Sequence, residues 1–359
     1  MMSRSHNFSA GPAVLPEPVL AQAQKDIWEL NDSGVGVMEC SHRSPTFDAV
    51  ICSARERFKR LLRLDDDQEV LFLHGGARSQ FYMVPMNLLR GGRAVYLETG
   101  RWSMYAIGDA RQYGSVDVPF SSADTKYDHV PAPRKWDIGD AKYLHYTSNN
   151  TIAGTEYSYI PETNGWLMCD MSSDFLAREL DGSKFDLVYG GAQKNLGPSG
   201  VTVVVIRKSL LEHCDPELPK MLQYGIHVEK GSMFNTPCTF GIYVLEKVCR
   251  WIEEDMGGLA NVEKRNRAKA GQIYDTIDKS GLWQGKAQLD SRSLMNVTFT
   301  TGDAELDLVV AQEAAKVGLS GLKGHRSVGG LRASIYNAQT QAAIDDLVAF
   351  LIEFERTRG

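Results

Sequence analysis

The sequence predicts an α/β protein: a mostly parallel sheet flanked by helices, with a smaller α+β C-terminal domain. Two observations carry this. Through the first two thirds of the chain, short strands apolar on both faces alternate with helix-periodic segments, the pattern of a parallel sheet covered on two sides. Beyond about residue 260 the texture changes to a separate set of strands and helices. The length of 359 residues suits two folded units. The expected division is a large domain over 16–260 and a small one formed by 1–15 with 261–359.

Taken in order, Val19, Leu20, Ala23, Ile27 and Leu30 recur three or four apart and predict an amphipathic helix over 17–30, starting just after Pro16. The same period predicts a helix over 47–62. Strands follow at 69–73, 94–97, 143–146, 166–169, 185–189 and 201–206, with helices near 80–89 and 102–113. Two helical stretches occupy 239–279, the second beginning near Gly258. The small domain reads as strand 295–298, helix 304–317, strand 331–336 and helix 341–356.

Composition excludes several functions. Lys and Arg number 39 against 45 Asp and Glu, a net charge of −6, which leaves no positive field for nucleic acid. The longest apolar run, about six residues over 347–352, falls far short of the roughly twenty of a membrane span. Residues 1–8 show no apolar core of a secretory signal, so a cytoplasmic protein is expected. Six cysteines without a CxxC spacing and eight histidines without metal spacing suggest neither a disulfide framework nor a zinc site. The acidic run 65–67 reads as a solvated turn.

Chemistry concentrates in FDLVYGGAQKNLGPSG, residues 185–200. Lys194 lies between two apolar strands, with Gly190, Gly191 and Ala192 before it and Gly197 and Gly200 after it. These small residues are expected to let a planar group lie against the backbone. Taken alone it is a surface turn lysine; desolvated, it would have a depressed pKa and serve as a Schiff-base nucleophile. Upstream, the strand in WLMCDMSSDF ends on Asp170, either an Asx-turn or helix cap, or a carboxylate pointing into a ligand crevice. Together, lysine and aspartate suggest pyridoxal phosphate, whose pyridine nitrogen a buried carboxylate keeps protonated. A strand running into His74-Gly75-Gly76-Ala77-Arg78-Ser79 before a helix offers backbone amides to a phosphate. No GxxxxGK[ST] and no dinucleotide fingerprint occur, which disfavours ATP and NAD.

The segments HNFSAGP, SHRSPTF, LHGGARSQF, TSNNTIAGTEY, GGAQKNLGPSG, MFNTPCTF and KGHRSVGGLRASIYNA, in this order, resemble the phosphoserine aminotransferase family of pyridoxal phosphate enzymes with the aspartate aminotransferase fold (fold type I). The resemblance spans nearly the whole chain. It implies that Lys194 carries the cofactor and that Ala77, Arg78 and Gln193 contact its phosphate. By the same resemblance Trp102 stacks on the ring, rather than only packing the core, Thr151 lies near the ring hydroxyl, and Asp170 faces the ring nitrogen. Asn235 and Thr236 are implied to reach the cofactor phosphate of a neighbouring subunit in a homodimer. Arg332, otherwise a surface strand end, is assigned the substrate α-carboxylate. The pairs His42–Arg43 and His325–Arg326 are assigned the substrate phosphate, one pair donated across the dimer. Ser44 and Pro45 depart from the Gly-Lys common in relatives, and Ala77 stands where many have glycine.

The implied reaction is ping-pong transamination between glutamate and 3-phosphooxypyruvate in serine biosynthesis, with a second phosphorylated oxo acid of vitamin B6 synthesis as a family expectation. A serine:glyoxylate aminotransferase of the same fold is the closest rival. A cysteine desulfurase needs a late nucleophilic cysteine, and none follows Cys249. A phosphate-binding module without turnover would not need Lys194, Asp170 and Arg332 together.

Overall fold

The computed structural model describes residues 4–358; residues 1–3 and 359, assigned by sequence to the small domain, lie outside the described residues. Seven strands form the main sheet: β1 (Gln68–His74), β2 (Arg93–Glu98), β3 (Ser115–Ser121), β4 (Tyr143–Thr147), β5 (Trp166–Asp170), β6 (Leu187–Gly191) and β7 (Val201–Arg207). Their order is β1-β7-β6-β5-β4-β2-β3. Every pairing is parallel except those of β7, which is antiparallel to both β1 and β6. Register aligns Thr147, Asp170 and Tyr189 across β4, β5 and β6, and sets Val201 opposite His74. The ends of four parallel strands and the start of β7 therefore emerge along one edge.

Helices cover both faces, as buried strands require. On one side lie α1 (Glu17–Trp28), α2 (Pro45–Leu62) and α6 (Thr239–Arg250), packed through Phe47, Phe58, Val203 and Leu245. On the other lie α3 (Ser79–Leu88) and α4 (Arg101–Ala110), packed through Phe81, Leu88, Tyr96 and Val204. The short α5 (Tyr224–Glu229) precedes α6. Helix α2 begins two residues earlier than its apolar period suggests, because Ser44 caps it by accepting from the Phe47 amide at 3.2 Å and Pro45 takes the first position. The stretch predicted over 239–279 divides at Gly257 and Gly258, which have φ of 71° and 92°.

Strand β3 is absent from the sequence expectation. It is the sheet edge, its residues alternate between half-buried and exposed, and the test for strands apolar on both faces passes over it. The period-two set Val116, Val118 and Phe120 was the available signal.

A third core gathers Phe8, Ile273, Phe299 and Leu347 around β8 (Asn296–Thr300), β9 (Leu331–Ser334), α7 (Leu259–Lys279), α8 (Ala304–Lys316) and α9 (Gln341–Arg358). The beginning of the chain joins it, with His6–Asn7 pairing parallel to Leu319–Ser320. Asp65 and Asp67 of the acidic turn pair with Arg207 at 3.0 and 3.5 Å.

Within β6, Gly190 admits the ring of Phe175, since a Cβ there would stand 2.4 Å from Phe175 Cδ2. Phe175 in turn packs edge-on against Phe58, with centroids 5.3 Å apart. Gly190→Ala is expected to destabilise the protein by about 1–3 kcal/mol through overpacking. Urea unfolding measures this, and an unchanged midpoint would contradict it.

Candidate active site

Lys194 sits in the tight turn between β6 and β7, where the Gly197 amide donates to Ala192 O at 2.8 Å. Only 9 % of the residue is exposed, and its Nζ donates to Thr151 Oγ1 at 2.6 Å. Burial pulls the amine pKa down to about 8, against the opposing pull of Asp170 and with the help of Arg332. The desolvated lysine expected from sequence is what the fold builds. From below, the N-terminal segment braces this turn: the Ala13 amide donates to Gln193 O at 2.9 Å, and Gly11 lies against the Cγ atoms of Gln193 and Lys194.

Asp170 ends β5 at the same edge and is buried. Its Oδ1 accepts from the Ser172 amide at 3.0 Å and the Ser172 hydroxyl at 2.6 Å. The Asx-turn expected at Asp170 is present, and it leaves the carboxylate buried at the sheet edge. Burial raises the Asp170 pKa, while Ser172 and Lys194 oppose that rise. Ser172, the residue that orients the carboxylate, went unnoticed in sequence; the Asp-x-Ser spacing was its signal. Behind it a second carboxylate, Asp174, accepts from Ser148 and is fully buried beside Arg178 and Glu156.

Arg332 is buried on β9, not the surface strand end its sequence context allowed. Its Nη1 donates to Thr151 O at 3.2 Å, so Thr151 touches both cations. Burial lowers the Arg332 pKa.

The turn before α3, the candidate phosphate cradle, leaves backbone amides free. The amides of Gly76, Ala77 and Arg78 have no backbone acceptor among the described residues, and they precede the N-terminus of α3. A Cβ on Gly75 or Gly76 would meet open space. Ala77 is not among the residues with positive φ, so its methyl costs no backbone strain. Arg78 lies 4.8 Å over the Tyr105 ring. Trp102, in the first turn of α4, packs against Phe81 and Tyr105, yet its Nε1 is buried without a partner.

One sequence inference needs correction. The glycines around Lys194 do not offer a bare face to a planar group. Phe175 fills the place beside Gly190, the Gln193 side chain folds over Gly191, and Gly197 packs on Leu245. Close packing in the Lys194 turn explains Gly190, Gly191 and Gly197, and Gly200 has a φ of 107°, whereas a Cβ at Gly75 or Gly76 before α3 would meet nothing.

Pyridoxal phosphate fits this set: a buried amine, a buried carboxylate on the adjoining strand, three unpaired amides at a helix start, and an indole with a free N–H at the wall. The remaining candidates stand further out. His325 and Arg326 occupy the loop before β9, and burial together with Arg332, Arg326 and Arg101 lowers the His325 pKa. Arg101, which bears on this ring electrostatically, is the first residue of α4. Arg43 is exposed, and His42 Nε2 is buried without a partner. Asn235 and Thr236 are exposed between α5 and α6.

The model of the family Aminotransferase class-V matches residues 5–347. The chain is 49% identical to the phosphoserine aminotransferase of Desulfatibacillum aliphaticivorans, over 100% of both chains. The solved phosphoserine aminotransferase from Bacillus circulans subsp. alkalophilus superposes with a TM-score of 0.96 at 46% identity, covering 99% of each chain. The pyridoxal phosphate-bound phosphoserine aminotransferase of Trichomonas vaginalis superposes with a TM-score of 0.92 at 35% identity, over 97% of this chain and 100% of that one.

The geometry fixes how Lys194 titrates. Competitive labelling of amines in the cofactor-free protein is expected to find it half reactive near pH 8. A negative charge favours the ammonium, so Asp170→Asn should move that midpoint lower. An upward move would contradict the placement of the two groups.

Proposed function

The chain belongs to the phosphoserine aminotransferase family of the class-V aminotransferases, and from that membership we propose that it transfers the amino group of L-glutamate to 3-phosphooxypyruvate, giving 2-oxoglutarate and O-phospho-L-serine for serine biosynthesis. The observation that carries this reading is the buried Lys194 amine, bonded to Thr151 and close to Asp170.

Pyridoxal phosphate, when bound, supplies an aldehyde that captures amines and a cationic ring that stores the electron pair left when a Cα–H bond breaks. The chain's own groups do the rest. Lys194 Nζ would take a proton from the substrate Cα and deliver it to C4′ of the cofactor, a role suited to an amine titrating near pH 8. Asp170, its Oδ1 fixed by Ser172, would supply the negative charge that keeps the ring nitrogen of the bound cofactor protonated. The amides of Gly76, Ala77 and Arg78, with Gln193, would hold the cofactor phosphate, and Trp102 would stack on the ring. Arg332 grips the α-carboxylate with two parallel hydrogen bonds. Glutamate leaves as 2-oxoglutarate before the second oxo acid enters, so one set of groups serves both halves in a ping-pong cycle.

Both substrates end in a distal anion, a γ-carboxylate or a phosphate, and His325 with Arg326 receives it. The pair His42–Arg43 and the exposed Asn235 and Thr236 are assigned to the site of a second copy. Two exposed apolar side chains support this homodimer: Trp28 is 86 % and Met38 62 % exposed, both in the segment that leads to His42. The large domain over 16–260 would carry the cofactor, and the small one, 1–15 with 261–359, the α-carboxylate grip. No described helix is long and apolar enough to cross a membrane, and we place the enzyme in the cytoplasm, where its free thiols stay reduced.

Purified enzyme should absorb visible light, and borohydride should fix the cofactor mass on the peptide containing Lys194. A colourless protein with unmodified Lys194 after cofactor addition would remove the proposal. Arg332→Ala should impair phosphoserine and alanine alike, by about tenfold or more for loss of a charge-assisted pair. Arg326→Ala should weaken phosphoserine more than alanine, and equal losses would sink the distal-anion assignment. Glyoxylate preferred over phosphooxypyruvate as acceptor would favour the serine:glyoxylate reaction.

A further inference from the structure

We infer that Lys286 is a positioning residue that sets affinity for the distal anion of the substrate, by fixing the loop that carries His325 and Arg326. The inference rests on the assignment of that pair given above.

The loop over 323–330 is built on three glycines. Gly329 and Gly330 have φ of 62° and 72°, and a Cβ on Gly324 would fall 2.3 Å from Gly329 O. It closes on itself through the Gly324 amide to Gly330 O at 2.8 Å and the Gly329 amide to His325 O at 2.9 Å. Within it, the Ser327 amide donates to His325 Nδ1 at 3.2 Å. A nitrogen that accepts carries no proton, so the neutral ring bears its proton on Nε2 and offers a donor. Arg332, Arg326 and Arg101 all oppose a charge on this ring. Recognition by neutral His325 and charged Arg326 then depends on where the loop holds them.

Glycine gives such a loop more freedom than any other residue. The loop's outer side is tied from elsewhere. Lys286 Nζ donates to Val328 O at 3.1 Å and Gly329 O at 3.0 Å. The ammonium lies so close to the glycine backbone that a Cβ on Gly330 would meet Nζ at 2.5 Å. Lys286 makes no ion pair among the described residues; its charge is given to these carbonyl dipoles. Its own amide donates to Thr298 O at 3.2 Å, and Thr298 is the register partner of Arg332. One frame, β8 with β9, thereby holds the α-carboxylate grip directly and the distal grip through Lys286. The separation of the two grips is what distinguishes a substrate with a distal anion from one without. A loop already ordered spares the substrate that ordering cost on binding.

The test compares holoenzyme variants Lys286→Met, Lys286→Arg, Arg326→Ala and the double variant Lys286→Met/Arg326→Ala. Lys286→Met is expected to raise KM for phosphoserine, and the inhibition constant of inorganic phosphate, by about tenfold, an amount within the usual range for coupled neighbours. Turnover at saturation and KM for alanine should change by no more than about twofold, since neither depends on the distal grip. Lys286→Arg should restore part of the loss. The double variant should lose less than the two single losses combined, since only His325 is left to position, and hydrogen exchange over 324–330 should speed up in Lys286→Met. Equal losses for phosphoserine and alanine, additive losses in the double variant, or unchanged exchange would each overturn the inference. If Arg326→Ala separates the two donors and Lys286→Met does not, this inference alone falls. If neither separates them, the distal-anion assignment falls and takes this inference with it.

Discussion

An amine held out of water beside a carboxylate is the constraint on which the rest of the structure depends. Burial alone would drive Lys194 to its neutral form; Asp170 draws it back toward the charged form, and the balance stands near pH 8. Neither group could sit there without partners. Thr151 accepts from the lysine and Ser172 fixes the aspartate, so both are oriented before any ligand arrives. Such preorganisation is what lets one amine both hold a carbonyl compound and shuttle a proton.

The sheet explains why these groups meet. Parallel pairing of β4, β5 and β6 puts Thr147, Asp170 and Tyr189 in register, so the loops that follow carry Thr151, Ser172 and Lys194 to a common edge. Antiparallel β7 starts from that edge, which keeps the Lys194 turn short. The C-terminal strands then deliver Arg332 from outside the sheet, bonded to the same Thr151 through its carbonyl. Thr151 links the main sheet to the C-terminal strands: hydroxyl to the Lys194 amine, carbonyl to Arg332.

Much of this was legible in the sequence, because strands buried on both faces and a lysine between apolar strands leave patterns that a single chain displays. Asp170, Lys194 and the cradle before α3 stood out by position at strand ends. The glycines around Lys194 misled, since a small residue reads the same whether it faces a ligand or a neighbouring ring; only packing shows Phe175 and Gln193 there. Lys286, inferred to hold the loop over 323–330, left no signal because the carbonyls it binds lie about forty residues away. Edge strand β3 escaped because an edge buries only half of what a central strand does. His42, Arg43, Asn235 and Thr236 rest on family resemblance, and a single chain leaves them at its margin.

The central claim is that the amino group is parked on the enzyme between two separate substrates. Holoenzyme mixed with nitrogen-labelled glutamate and no acceptor tests it directly. The account predicts stoichiometric release of 2-oxoglutarate, label retained by the protein, and label passed to phosphoserine when phosphooxypyruvate is added. Release of 2-oxoglutarate only when both substrates are present would contradict it.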